Sequence, residues 1–199
     1  MTLHERAADL APSSRRCDRE NFPNLIPARP YAADYYDEGI RPRSRNHALR
    51  KRHLQFNPPH SIDWLIFDID RDESYRAAED ANLPQPNIIS INSANGHGHM
   101  MYLLEKPVLR FDSSRRKPIN FCSDVQRGMT RRLDGDKNFH GIVAKNPIHT
   151  DWRSSFEISN PSNLADLDRH LERADKASIK APQEAFGEGR NCTVFEELR

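Results

Sequence analysis

The sequence has little of what marks a secreted or membrane protein. Its 199 residues include three cysteines, and no two of them form a C-x-x-C pair. Isolated thiols of this kind argue against a disulfide framework and against a thiolate zinc site. Residues 1–16 contain no apolar signal-peptide core, and no apolar run reaches the roughly 18 residues that a membrane-spanning helix needs. We therefore expect a cytoplasmic protein that does not contact a membrane.

An excess of charge of either sign is also missing. The chain has 30 Lys and Arg against 29 Asp and Glu, for a formal net charge of +1. The total charge therefore gives no sign of nucleic-acid binding, although a local basic patch is compatible with it. Charged residues make up 30% of the chain and the hydrophobic set 36%, so we expect polar segments beside a single core. We predict a loosely ordered arm over 1–28, a core over 29–174 and a linker from 175 onward.

Hydrophobic periodicity and chain-breaking residues predict an α+β protein. The predicted elements follow the order helix, strand, short helix, hairpin, helix and strand, with no internal repeat. Such an order suits a mixed or antiparallel sheet with helices packed on it. The predicted helices are 44–56 (capped by Ser44), 73–83 (helix or loop), 122–133 and 162–174, and the predicted strands are 62–70, 87–92, 99–105, 142–144 and 154–159.

The strand in "WLIFDIDRD" ends in two aspartates, Asp68 and Asp70. Alternate residues of a strand point to the same side, so both carboxylates project from one face. Two neighbouring negative charges repel, and a divalent cation with a preference for oxygen ligands removes that repulsion. The alternative is that one aspartate caps the following turn while the other is solvated.

The turn "SANGHGHMMY" lies before the third predicted strand. Gly96 and Gly98 allow the backbone to approach a ligand closely. His97 and His99 stand two residues apart, so both side chains can face one way, beside a polyphosphate. The alternative is an ordinary surface turn.

A second acidic pair follows the predicted helix, in "LDGDKNFHG". Asp134 and Asp136 offer a third carboxylate, which would complete a two-metal site for phosphoryl transfer. The following "AKNPIH" supplies Lys145, Asn146 and His149 as possible phosphate or sugar contacts. Lys145 taken alone is an ordinary surface lysine.

In this order, "FDIDRD", "NGHGHMMYLL" and "DGDKNFHGIVAKNPIH" resemble the catalytic core of the archaeo-eukaryotic primase superfamily. The resemblance is stronger to the plasmid replication initiator primases of the colicin-plasmid type, the Rep or replicase family. It covers about residues 29–160 and implies an RRM-like mixed or antiparallel sheet flanked by helices. The closing "GEGRNCTVFEELR" resembles the start of the helical primase C-terminal domain, so 175–199 would be a linker and a truncated beginning of that domain.

The resemblance also implies roles for individual residues. Asp68, Asp70 and Asp136 match the catalytic and metal-binding positions, with Asp136 favoured over Asp134. His99 matches the histidine that contacts the triphosphate of the incoming nucleotide, and His97 stands where many members carry serine. The full set of expected nucleotide-binding residues is His99, His97, Ser93, Lys145, Asn146 and His149.

The implied activity is synthesis of a short primer from nucleoside triphosphates, with two Mg²⁺ or Mn²⁺ ions as cofactors. The implied partners are a DNA template, either single-stranded or origin DNA, and a host DNA polymerase. Basic residues would line the template path, although each group is equally compatible with a solvated face. The expected DNA-binding residues are Arg45, Arg50, Lys51, Arg52, Arg115, Arg116 and Lys117.

Three other functions compete with the primase. A rolling-circle nicking endonuclease uses paired histidines and a tyrosine, but "HGH" lacks the usual bulky middle residue and Tyr102 is poorly placed. A haloacid-dehalogenase-type phosphatase has a strand ending in D-x-D, but small residues and threonine should follow it. A non-catalytic nucleic-acid-binding module usually presents aromatic residues on its open sheet, and this sheet would present aspartates.

Overall fold

The computed structural model describes residues 15–177, which form two antiparallel sheets and five α-helices. The strands are β1 (Tyr31–Ala33), β2 (Arg41–Pro42), β3 (His53–Leu54), β4 (Ser61–Ile69), β5 (Ile88–Asn92), β6 (Gly98–Leu109), β7 (Ala144–Lys145) and β8 (Trp152–Phe156). The first sheet has the order β2-β1-β3-β7, and the second has the order β4-β6-β5-β8. The helices are α1 (Arg45–Ala48), α2 (Ala77–Asp80), α3 (Arg116–Arg132), α4 (Leu164–Asp168) and α5 (Arg173–Lys176). The predicted α+β class is confirmed.

The centre of the second sheet is buried on both faces because β4, β5 and β6 carry long apolar runs. Along β4, Leu65 and Phe67 point into a core that contains Val125 and Met129 of α3. Trp64 and the other residues of opposite parity point into a second core, which the first sheet covers. A strand that is apolar on both faces therefore separates two cores, as continuous runs in buried sheets do.

The segment before β1 differs from the predicted loose arm, because residues 15–28 are packed. Phe22 has no exposed surface and lies against the rings of Phe56 and Trp64, with centroids 5.5 and 6.3 Å away. The indole N–H of Trp64 donates to the carbonyl of Leu25 at 3.0 Å. The expectation for 1–14 lies outside the described residues, as does most of the predicted linker and C-terminal start over 175–199.

Two predicted helices are shorter or divided in the structure, whereas the predicted helix 122–133 begins six residues earlier, at Arg116. The predicted helix 44–56 ends at Ala48, because the chain then turns to pair β3 with β1 and β7. The predicted helix 162–174 is divided into α4 and α5, with Leu171 buried between them against Gly128 of α3. A side chain at Gly128 would clash with Leu171, since the ideal Cβ would lie 2.8 Å from Cδ1.

One side of β4 has no partner strand among residues 15–177, and side-chain amide groups cover part of it. Asn57 accepts hydrogen bonds from the backbone N–H groups of Asp63 and Trp64, both at 2.8 Å. The same amide donates to the carbonyl of Trp64 at 2.9 Å. These bonds lie next to the bulge between Ile62 and Trp64, where the pairing of β4 with β6 shifts.

Candidate active site

The end of β4 directs two carboxylates toward the space between the sheets. Asp68 has the same parity as Trp64, whose side chain points into the core under the first sheet. Asp68 pairs across β4 and β6 with His99. Asp70 follows directly after the strand with a side chain 60% exposed, whereas that of Asp68 is 21% exposed. The shared face predicted for the two aspartates is therefore present.

The third carboxylate lies in the loop after α3, and this helix ends in a Schellman motif. Gly135 donates its N–H to the carbonyl of Thr130 at 2.8 Å, and Asp134 donates to Arg131 at 3.2 Å. Asp134 takes the left-handed conformation that ends such helices, with φ of 52°. The first aspartate of "DGD" is thus exposed at a helix end, and the chain reverses toward β4.

Gly135 then allows the loop to touch β4. A Cβ at this position would lie 3.1 Å from the carbonyl oxygen of Asp68, so a side chain would crowd the strand. The next residue, Asp136, donates its N–H to that same carbonyl at 2.9 Å. This bond holds the third carboxylate beside the first two, and it explains why Asp136 rather than Asp134 joins them.

Asp68, Asp70 and Asp136 each present one carboxylate oxygen within 4.8 Å of the others, an arrangement that could hold a metal ion. Oδ1 of Asp68 is buried and has no well-aligned hydrogen bond from the described residues, although Nε2 of His99 lies 3.1 Å away. A buried carboxylate oxygen in this state is costly unless a cation compensates it. The donor set is entirely oxygen, which fits a hard divalent cation.

His99 and Lys145 set the electrostatics around Asp68. Nε2 of His99 and Nζ of Lys145 lie 3.1 and 3.9 Å from Oδ1 of Asp68. Burial alone raises the pKa of Asp68, but contact with His99 and the charge of Lys145 outweigh it, so the pKa is lowered. Burial lowers the pKa of His99, and burial also lowers the pKa of Lys145. Asp68 is thus ionised and His99 neutral at pH 7.

The tautomer of His99 follows from its second nitrogen. Nδ1 accepts the backbone N–H of Lys145 at 3.0 Å, so the proton of the neutral ring is on Nε2, facing Asp68. This bond joins β6 of the second sheet to β7 of the first. The register of the two sheets therefore positions both His99 and Lys145 at the acidic cluster.

The turn before β6 has a more structural role than predicted. His97 contacts Asp70, with 3.2 Å between Nδ1 and Oδ1, while Ser93 is exposed in the turn. The two glycines approach the chain itself rather than leaving space for a ligand: a Cβ at Gly96 would lie 3.1 Å from Cα of Asp72. At Gly98 it would lie 2.5 Å from Oγ of Ser74.

Asn146 and His149, predicted to contact a nucleotide, both make hydrogen bonds with backbone groups of the protein. The Asn146 side chain has no exposed surface, and its amide donates to the carbonyls of Leu49 and Lys51 at 2.9 and 2.8 Å. Its Oδ1 accepts the N–H of Ile148 at 3.2 Å. Because the amide is saturated by backbone groups, we correct its assignment to a structural one. Nδ1 of His149 accepts the N–H of Asp151 at 3.1 Å, and the contact of His149 with a nucleotide stays a prediction.

The structural assignment of Asn146 predicts a stability defect. Asn146→Ala would leave two partly buried carbonyls and one N–H without partners, and we expect the free energy of unfolding to fall by about 3 kcal/mol. Urea denaturation measures this change, and His149→Ala is the comparison, with an expected loss under about 1 kcal/mol. A stable Asn146→Ala protein with weakened nucleotide binding would restore the original prediction.

Three of the expected DNA-binding residues make contacts within the protein. Arg45 donates to the carbonyls of Ile26 and Pro27, and Lys51 pairs with Asp34. The hydrogen bond from Lys51, with other charges, lowers the pKa of Asp34. Arg52 is stacked between two aromatic rings and pairs with Asp151. These contacts give all three cations structural partners, so their availability to DNA is reduced.

The other basic residues are exposed but lie at different places. Arg50 is at the surface after α1, whereas Arg115, Arg116 and Lys117 begin α3. Helix α3 has 17 residues, so its start is about 25 Å from the end that leads to Asp136. The structure therefore does not bring these two groups together at the acidic cluster, and their template contacts stay a prediction.

A cavity of about 340 Å³ adjoins the acidic cluster and contains residues that the sequence analysis missed. Asp68, Asp136, His99 and Lys145 line it together with Tyr36, His53, Phe139 and Trp152. These aromatic residues come from four separate chain segments. The pair "YY" at 35–36 is the only sequence signal, and a local pattern does not show which ring faces the cavity.

Two competing functions lose support from the geometry. Tyr102 has no exposed surface and donates its hydroxyl to the carbonyl of Pro84, so it is not placed as a nicking nucleophile. His97 and His99 each contact a different aspartate. The strand that ends in D-x-D is antiparallel to its neighbour and lies at a sheet edge, unlike the central parallel strand of a dehalogenase-type phosphatase.

No helix within residues 15–177 is long and apolar enough to cross a membrane. No curated protein matches the chain. Among solved structures, the chain is similar to the AEP domain of the primase-polymerase (PrimPol) of cyanophage S-2L. The TM-score is 0.49 and the identity 10%, over 73% of this chain and 90% of that one. A family model described as the Replicase family matches residues 25–171, and the chain therefore belongs to the Replicase family.

Proposed function

We propose that this protein is a plasmid-type replication protein with primase activity, a nucleotidyltransferase of the archaeo-eukaryotic primase superfamily. It would synthesise a short primer from nucleoside triphosphates on a DNA template. The observation that carries the proposal is the cluster of Asp68, Asp70 and Asp136 beside a cavity that also contains Lys145. Membership of the Replicase family supports the same reaction class.

The chain's own residues account for most of what such a site needs. The three carboxylates would hold Mg²⁺ or Mn²⁺, which as a pair supply Lewis-acid stabilisation of charge during phosphoryl transfer. Lys145 adds a buried positive charge that can face a triphosphate, and its position is fixed by the bond from its backbone to His99. Neutral His99 can donate from Nε2 at the same end of the cavity.

Fewer residues support the part of the proposal that concerns binding of the DNA template. Arg50, Arg115, Arg116 and Lys117 have exposed positions that suit contacts with template phosphates. Such contacts would be weak and salt-sensitive. A host DNA polymerase that extends the primer completes the proposed set of partners, and 29–174 is the proposed catalytic core.

The test is template-dependent primer synthesis with labelled nucleoside triphosphates and Mg²⁺ or Mn²⁺. We expect product from the native chain, none after chelation of the metal, and none from Asp68→Asn/Asp70→Asn. The double substitution keeps side-chain volume while removing the charges that hold the cations, so the activity should fall at least 10³-fold.

Binding measurements distinguish the remaining outcomes. Metal-dependent triphosphate binding without product would indicate a nucleotide site that lacks a component for synthesis. Binding of single-stranded DNA that does not respond to metal, with no triphosphate binding, would contradict the primase and favour a non-catalytic nucleic-acid module. Cleavage of supercoiled DNA with a covalent protein–DNA product would instead favour a nicking endonuclease.

A further inference from the structure

The cavity beside the acidic cluster is lined by two chemically different kinds of residue. Charged residues, among them Asp68, Asp136 and Lys145, form part of the lining. Tyr36 and Trp152 belong to an aromatic wall that lines the same space. A ligand that fills it therefore combines an anionic, cation-binding group with a flat ring. This inference rests on the proposed function, because that function supplies a nucleoside triphosphate as the ligand.

The aromatic wall is a row of three rings in contact. Tyr36 lies on His53 with centroids 4.8 Å apart and planes tilted by 32°, and His53 contacts Trp152 at 5.3 Å with planes tilted by 56°. The indole N–H of Trp152 donates to the carbonyl of Arg52 at 2.7 Å, which fixes the innermost ring. His53 is held between two aromatic neighbours. The wall is therefore preorganised, and little side-chain entropy remains to be lost when a ligand stacks on it.

The charge state of the wall suits a neutral base. Burial, with the nearby charges of Lys145 and Arg52, lowers the pKa of His53 to about 4. The central ring is therefore neutral at pH 7. Its two ring neighbours, Tyr36 and Trp152, are also neutral, so the aromatic wall presents uncharged π surface next to a strongly charged cluster.

Tyr36 is the member of the wall that is open to a ligand. About half of its surface, 49%, is exposed, although one face rests on His53. Burial raises the pKa of its hydroxyl to about 12, with a contribution from the charge of Asp68. Tyr36 lines the same cavity as Asp68, and about half of its surface remains uncovered there.

We propose that Tyr36 stacks on the base of the bound nucleoside triphosphate while the acidic cluster and Lys145 bind its phosphates. An aromatic ring stacks on any base, because every base has a π face. Tyr36 therefore supplies affinity without base selectivity, and the identity of the incoming base is left to the template. This property is what template-directed synthesis requires of a nucleotide pocket.

The experiment compares two ligands that differ only in whether they carry a nucleoside. Binding of a nucleoside triphosphate and of inorganic tripolyphosphate is measured by calorimetry in Mg²⁺, for the native chain, Tyr36→Leu and Tyr36→Phe. We expect Tyr36→Leu to weaken nucleoside triphosphate binding roughly 5- to 150-fold for all four bases. Tripolyphosphate binding should change less than twofold, and Tyr36→Phe should retain native affinity for both ligands.

Tyr35→Leu is the matched control. Tyr35 is the neighbouring tyrosine, 53% exposed, and it stacks on Arg52 without lining the cavity. Thermal unfolding of each variant verifies that the fold is intact. If Tyr36→Leu weakens both ligands equally, or neither, while the native chain binds both, the stacking proposal is overturned and the primase proposal stands. If the native chain binds neither ligand in Mg²⁺, the proposed function fails and the stacking proposal falls with it.

Discussion

Asp136→Asn should reduce primer synthesis by on the order of 10³-fold, whereas Asp134→Asn should leave it within about twofold of the native rate. The two aspartates are separated by one residue, yet only Asp136 presents an oxygen to Asp68 and Asp70. The asparagine at 136 retains volume and the oxygen that accepts the N–H of Asn138, at 2.8 Å in the native chain. The loss would therefore reflect the missing charge. Initial rates in saturating Mg²⁺ are the measurement.

The Asp134→Asn protein controls for disturbance of the loop. Its backbone has φ of 52° at this residue, and asparagine tolerates the left-handed region as well as aspartate does. Helix α3 and the approach of Gly135 to β4 should thus be retained. Equal losses in both variants would indicate that the loop as a whole matters, and that Asp136 has no separate role at the acidic cluster.

Phe22→Ala should lower the free energy of unfolding by about 3–5 kcal/mol, the largest stability change expected from a single substitution considered above. The ring is fully buried and contacts Phe56, Trp64 and Phe156, so its removal leaves a cavity among aromatic side chains. Urea denaturation monitored by circular dichroism measures the effect, with the midpoint shifting at constant slope.

Phe111→Ala is the same chemical change at an exposed position. Phe111 is 50% exposed and stacks on His60 at 5.3 Å, so its removal should cost less than about 1 kcal/mol. Equal losses for the two variants would contradict the packing of residues 15–28 against the core. A large loss for Phe22→Ala alone would show that this segment belongs to the folded domain.

The parts of the fold that sequence predicted best are those whose evidence is local. The alternation and apolar runs around β4, β5 and β6 indicated strands, and the structure has strands there. The shared face of Asp68 and Asp70 followed from a period of two. The convergence of Asp136 with them depended on the resemblance to a family, because the chain between the two sites gives no measure of their distance.

The parts that sequence missed depend on partners far along the chain. The predicted helix 44–56 contains residues that favour a helix. The carbonyls of Leu49 and Lys51, however, accept hydrogen bonds from the amide of Asn146, and His53 pairs in strand β3 instead of continuing the helix. The cavity's aromatic wall joins residues 36, 53 and 152. Propensity and periodicity contain no information about contacts of this separation.

The hydrogen bond from Asp136 to the carbonyl of Asp68 has a consequence for solubility. In an antiparallel strand the N–H and C=O of one residue point to the same side, so the carbonyls of Trp64 and Asp68 both point away from β6. The amide of Asn57 donates a hydrogen bond to the carbonyl of Trp64, and the N–H of Asp136 donates one to the carbonyl of Asp68. A nine-residue edge strand with an apolar centre would otherwise be a template for pairing with another molecule and for aggregation. The loop that completes the acidic cluster thus also protects the longest edge strand of the described chain from self-association.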